Sequence, residues 1–239
     1  GMVTAFFGVL VTYRAISALG FQNISFPAFA LVAVVGTYAG SPLLICITRP
    51  TRRPSEDEHR RLATLCADVE LDPRAIRIVE ASDEADVNAF FRGAPGFRTL
   101  FVSDALLSAT DDDRLRASLG LLSGRARLYH FDIRFLLLIG TLVGPLVILV
   151  DLVPVGGVPI AIAVFVVGFL SLWVGQRLVF RADAFAADRA GVKNVIDLLE
   201  WDCDVTNRPL ERGRLWSLRR MRPSPATRID RLLDRENTP

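Results

Sequence analysis

The sequence predicts a mostly α-helical membrane protein, with four transmembrane helices plus a small α+β cytoplasmic domain that carries a short sheet. Three observations support this. Apolar residues make up 51% of the chain although 23% of it is charged, so the apolar residues must be gathered in blocks. Blocks at 3–19, 27–48, 135–154 and 157–176 each approach the ~20 residues a helix needs to cross hydrocarbon. Between the second and third blocks lie short stretches of alternating β-branched and aromatic residues, the signature of strands.

The first block contains Arg14, costly at mid-membrane unless it snorkels or meets a protein partner. An interfacial helix and a signal sequence compete for this segment, but it has no small-residue cleavage pattern and a second apolar block follows almost at once. The third and fourth blocks flank "DLVPVGGVP" at 151–159, whose prolines and glycines predict a tight hairpin turn. Pro145 is tolerable inside the third block. The domain reading is therefore 1–48 for two N-terminal transmembrane helices, 49–134 for the first cytoplasmic part, 135–176 for a transmembrane hairpin and 177–239 for the second cytoplasmic part.

Arginine placement gives orientation. Loops 20–26 and 151–158 contain no Lys or Arg, whereas "TRPTRR" follows the second block, "RARLYHFDIR" precedes the third and "QRLVFR" ends the fourth. The positive-inside rule then puts both large polar segments in the cytoplasm of a multi-pass protein of the cell membrane, with the lipid bilayer as its first partner. The formal charge is only +2 and no nucleic-acid motif accompanies it, so nucleic acid is not expected as a partner. Cys46, Cys66 and Cys203 share no CxxC spacing, which argues against a disulfide framework.

In the polar part, Ser55 and Glu58 form a capping-box pattern, and Leu62, Leu65, Cys66 and Val69 fall on one face of the helix that follows. "AIRIVE" at 75–80 and "RTLFVS" at 98–103 read as strands joined by "FFRGAPGF". The acidic "TDDD" at 110–113 opens a helix over 111–130, with carboxylates at the positive end of its dipole and Leu115, Leu119, Leu122 and Ala126 on its apolar face. Gly120 and Gly124 form a GxxxG; with Arg116, Arg125 and Arg127 around it, close packing against a neighbouring helix is expected, not a lipid-embedded dimer. Beyond the fourth block one helix is expected to run out of the membrane, with Phe185, Val192, Val195 and Leu199 as core candidates, followed by a proline turn and a short amphipathic helix.

Four local motifs occur in a telling order. "VNAFFRG" (87–93), "LFVSDALL" (100–107), "RADAFAADRA" (181–190) and "RPSPATRIDRLL" (222–233) resemble the NAF stretch, the strand before the active-site helix, the R-x-x-E-x-x-A-D segment and the closing HPP…RI..L of the HtpX-type and CaaX prenyl-protein endopeptidase superfamily of integral-membrane zinc metallopeptidases. The resemblance covers nearly the whole chain and implies a gluzincin-like cytoplasmic domain. It also implies zinc, held by two histidines of an HExxH helix and by the glutamate of an ExxxD motif.

Here that chemistry is missing. With Gly124 as anchor, the histidine positions fall on Leu121 and Arg125, the catalytic glutamate on Leu122 and the third ligand on Ala184. Aliphatic groups offer no lone pair, and a fixed cation repels Zn²⁺. No zinc or other cofactor and no catalytic residue is therefore expected, so the chain reads as a degenerate member. An improvised site from His130, Asp183 or a cysteine is the competing idea; beside Tyr129, His130 reads more simply as an interfacial residue. Asp188 remains as the aspartate that in the family orients a ligand, and Arg125 is expected to pair with it across the vacated site. Asn88, Ala89 and Phe90 resemble the stretch that receives extended peptide by strand addition, which needs backbone groups and no metal. The function this implies is an inactive membrane pseudopeptidase, a scaffold for unfolded membrane proteins or for an active paralogous peptidase in membrane protein quality control. Two alternatives remain: an active metalloendopeptidase with a non-standard site, and an unrelated small membrane sensor or accessory protein.

Overall fold

The computed structural model describes residues 26–80, 88–133, 135–136, 157–206, 209–210 and 223–236. Helix α1 (Phe26–Ala39) and helix α2 (Ser41–Thr48) occupy the second apolar block. They do not form one rod. The axis bends by 67° between 31–39 and 41–48, because Pro42, in the first turn of α2, has no N–H to continue the hydrogen-bond ladder across Gly40.

Among the described residues no single helix is long and apolar enough to cross a membrane, and this overturns the expected four transmembrane helices. The bent α1–α2 pair reaches the required length and apolarity only when its two parts are taken together. The block at 157–176 is the first half of a 34-residue helix that continues into the polar "RADAFAADRA". Block 3–19, nearly all of block 135–154 and most of the two Arg-free loops lie outside the described residues.

Helix α3 (Glu56–Asp68) starts as its sequence predicts: the Ser55 hydroxyl accepts the Glu58 N–H at 3.2 Å and the Glu58 carboxylate accepts the Ser55 N–H at 2.7 Å. Strands β1 (Thr51–Arg52), β2 (Ala75–Val79), β3 (Ala89–Arg92) and β4 (Thr99–Ser103) form one sheet in the order β1-β2-β4-β3. β2 and β4 run parallel, with Ile78 beside Val102, while β3 returns antiparallel to β4 with Phe90 opposite Phe101. The sheet is larger than the two expected strands. β3 looks like a connector because Gly93 follows it directly; Gly93 sits at φ +114°, and a Cβ there would come within 2.8 Å of the Phe97 carbonyl oxygen.

Helix α4 (Asp104–Ala109) leads into α5 (Asp112–Arg127), whose cap Asp111 accepts the Arg114 N–H at 2.9 Å. Helices α6 (Gly157–Ala190) and α7 (Val192–Val205) replace the single long helix expected there, since Gly191 at φ +89° breaks the run. Helix α8 (Pro225–Glu236) closes the chain.

Two apolar cores result, with α5 between them. Leu115, Leu119 and Leu122 join α3 and the sheet through Leu62, Leu65, Ile78, Leu100 and Val102. Ala117 and Leu121 join α6, α7 and α8 through Ala186, Ala190, Val195, Leu199 and Leu232. Cys46, Cys66 and Cys203 are all free thiols.

Candidate functional site: the α5–α6 contact

The predicted site lies where α5 meets α6, and here glycine decides the geometry. A Cβ on Gly124 would stand 2.8 Å from the Ala182 carbonyl oxygen and 2.9 Å from its Cα; one on Gly120 would stand 3.4 Å from Ala186. Advancing along α5 from Gly120 to Gly124 means stepping back along α6 from Ala186 to Ala182, so the helices run antiparallel here, small residue against small residue. This agrees with close packing expected of the GxxxG.

Leu121 and Leu122 diverge from this contact. Leu121, 7% exposed, packs into the α6–α7–α8 core, whereas Leu122, 4% exposed, packs toward α3 and the sheet. Arg125 is half-buried in the last turn.

Ala184 is only half-buried and the Asp188 side chain is 50% exposed, paired with Arg235 of α8 at 3.0 Å. Asp188 thus has Arg235 as a partner, and being half exposed it does not carry the desolvation cost that would demand a buried one. The same four-residue spacing recurs five residues earlier, on another face of the helix, at Val179 and Asp183, which are 3% and 2% exposed. Asp183 accepts a two-pronged pair from Arg228 of α8, Nε at 2.7 Å and Nη2 at 2.6 Å. Burial works against the Arg228 charge, but Asp183 outweighs it and raises the guanidinium pKa. Neither Asp183's burial nor Arg228 as its mate could be read from the motif alone, which holds two aspartates five apart; only the helix face chooses between them.

A zinc ion does not fit these residues. Leu121, Leu122 and Arg125 offer it no electron pair, and neither Val179 nor Ala184 supplies a third ligand. Among the described residues no three His, Cys, Asp or Glu side chains converge as a metal-binding group. His130, 2% exposed, meets Phe131 edge-on at 5.6 Å, and burial pushes the Cys66 thiol up to about 12, which keeps it from acting as a thiolate.

Glu70 adds a tie that the sequence did not signal. At φ +54° it accepts from Arg127 of α5 and Arg189 of α6, both at 2.6 Å, and its carbonyl accepts the Ser123 hydroxyl at 3.1 Å. The Arg189 bond comes first among the causes that lower its carboxyl pKa.

Beside α5 lies the edge strand. Asn88 and Ser103 exchange bonds, the Ser103 N–H reaching the Asn88 carbonyl at 3.0 Å and the Asn88 N–H reaching the Ser103 hydroxyl at 3.0 Å. Antiparallel alternation then turns the backbone groups of Ala89 and Phe91 away from β4. Among the described residues no strand pairs on that outer side. Phe90 stacks on Phe101 with ring centroids 5.2 Å apart, which holds β3 flat against β4.

No family model matches the sequence, and no curated protein matches it. A solved structure does. The chain shares its fold with Ste24p of S. mikatae, at a TM-score of 0.69 and 15% identity over 97% of this chain. The match covers 65% of the Ste24p chain, so this chain spans about two-thirds of that protein's length.

Proposed function

We propose that the chain is a membrane-associated pseudopeptidase, a metallopeptidase-type fold that holds extended peptide without cutting it. The observation that carries this reading is the α5–α6 contact: backbone touches backbone at Gly124 and Ala182, with aliphatic Leu121 and Leu122 where a ligand and a general base would stand. The Ste24p-like fold and the motif order support a membrane metallopeptidase relationship. Membrane association is further supported by apolar side chains left open on α1, α2 and the first half of α6, among them Val32, Leu43, Ile47 and Phe169.

Peptide holding rests on β3. Ala89 and Phe91 offer two N–H and two C=O groups, and at ~1 kcal/mol net each these supply about 4 kcal/mol, roughly a millimolar dissociation constant. Such weak, sequence-tolerant capture suits transient scaffolding in membrane protein quality control, with an unfolded membrane protein or an active paralogous peptidase as partner.

The test combines metal analysis with a backbone edit. Purified protein is expected to carry no stoichiometric zinc and to leave casein intact. Ala89→Pro, which deletes one of the outward N–H groups and spares the ladder to β4, is expected to weaken peptide binding at least about fivefold without lowering Tm. Stoichiometric zinc, or peptide binding unchanged in Ala89→Pro, would overturn the reading.

A further inference from the structure

A cavity of about 340 Å³ opens between α1, the end of β3 and the helical residues 130–133, walled by Ala33, Val34, Tyr38, Phe91, Phe131 and Phe135. Two guanidinium groups also line it. Arg98 is 7% exposed and fully committed: it pairs with the Asp132 carboxylate, which also accepts the Tyr38 hydroxyl, and it donates to the Ala126 carbonyl at 3.1 Å. Arg92 is exposed on its outer side, and among the described residues its neighbours are aromatic. Its guanidinium lies 5.3 Å from the Phe131 ring and 5.9 Å from the Phe90 ring, and among the described residues no carboxylate pairs with it. Loss of water on the side that packs against the rings lowers its pKa, yet an arginine stays cationic through the physiological range.

Among the described residues two cations face one carboxylate, which leaves the Arg92 charge at the open rim of an apolar cavity. On the faces of α1 and α2 turned from the cavity, Val32 and Val35 are 71% and 44% exposed and Leu43 and Ile47 are 70% and 80% exposed. A complementary ligand needs one anionic group to meet Arg92 and hydrocarbon to cover the apolar wall of Ala33, Val34, Phe91, Phe131 and Phe135. A soluble anion satisfies the first condition and leaves the second unmet.

We infer that this cavity holds an anionic phospholipid, its phosphate on Arg92 and an acyl chain along Phe91, Phe131 and Phe135. The inference rests on the membrane association proposed above. It makes the α1–β3 junction a lipid-reading site beside the strand that takes peptide.

Full-length protein in mild detergent is mixed with equimolar phosphatidylcholine and phosphatidylglycerol, and retained lipid is read by native mass spectrometry; flotation with vesicles of each lipid runs in parallel. Phosphatidylglycerol should be retained about fivefold over phosphatidylcholine, the ratio one arginine near a lipid surface supplies. Arg92→Gln should erase the preference while flotation with phosphatidylcholine and Tm stay unchanged, and Arg92→Lys should preserve it. Equal retention of the two lipids, or a preference that survives Arg92→Gln, would overturn the lipid inference and leave membrane association standing. Displacement of phosphatidylglycerol by inorganic phosphate would also overturn it, assigning Arg92 to a soluble anion. Failure to float with either vesicle would overturn the membrane reading itself, and the inference with it.

Discussion

At Gly124 a single hydrogen in place of a methyl group lets two helices touch. Gly124→Ala would drive its Cβ into backbone at 2.8 Å, and backbone cannot rotate aside; a loss of ~1–3 kcal/mol is expected in urea titration, as for other overpacked cores. Gly120→Ala meets Ala186 at 3.4 Å, a contact that a shift of a few tenths of an ångström relieves. Alanine also improves helix propensity by up to ~1 kcal/mol, so this second substitution should be close to neutral. Equal costs for the two would show that the close approach does not govern stability. The glycine pair was legible in the sequence because its spacing and arginine surroundings left helix packing as the simple explanation. Which α6 residues it meets was not legible, since "RADAFAADRA" offers alternative small and acidic faces and only burial selects Ala182, Ala186 and Asp183.

Between elements, ion pairs and register matter most. Arg52 on β1 grips Glu58 on α3 through two bonds of 2.7 Å, and with the Ser55 N–H it holds the Glu58 carboxyl down at about 2, against 4.5 ordinarily. A depressed carboxylate contributes fully above its unfolded pKa, and the contribution is lost as pH falls from about 4.5 to about 2. Glu58→Gln should therefore cost on the order of 1 kcal/mol at neutral pH, given solvent screening, and should flatten the acid limb of a stability-versus-pH curve in that window. A limb of unchanged slope would refute the assignment. Register between α5 and α6 can be tested by restoring a metal site. Leu121→His, Leu122→Glu and Arg125→His combined with Ala184→Glu should bind zinc, measured by competition with a chelator; the same triple combined with Val179→Glu should not, because the contacts of Gly120 with Ala186 and of Gly124 with Ala182 put Ala184 level with Leu122 and Val179 beyond Arg125. The reverse result would overturn this register. Helix α3 and strands β2 and β4 were legible because capping and alternation act locally. β3 escaped because a four-residue strand ending at a glycine looks like a turn until a partner claims it.

Across the whole molecule, apolar blocks misled where they were taken as independent membrane rods. Block length says nothing about Pro42 and the bend at Gly40, nor about the polar residues that share α6 with an apolar first half. The order of motifs, by contrast, pointed toward a membrane metallopeptidase scaffold, and the fold is shared with Ste24p at 15% identity. The double role of α5 has one more consequence. Leu122 and its neighbours complete the core made by the N-terminal half of the chain, while Leu121, one residue away, completes a core made by the C-terminal half. The protein should then behave as a split pair. If the gene is cut between residues 136 and 157, each polypeptide leaves an apolar surface uncovered and is expected to precipitate when expressed by itself. Expressed together they should co-purify as a stoichiometric complex, with Gly124→Ala weakening reassembly more than Gly120→Ala. A fragment that stays soluble and helical alone would show that the two cores are separable after all.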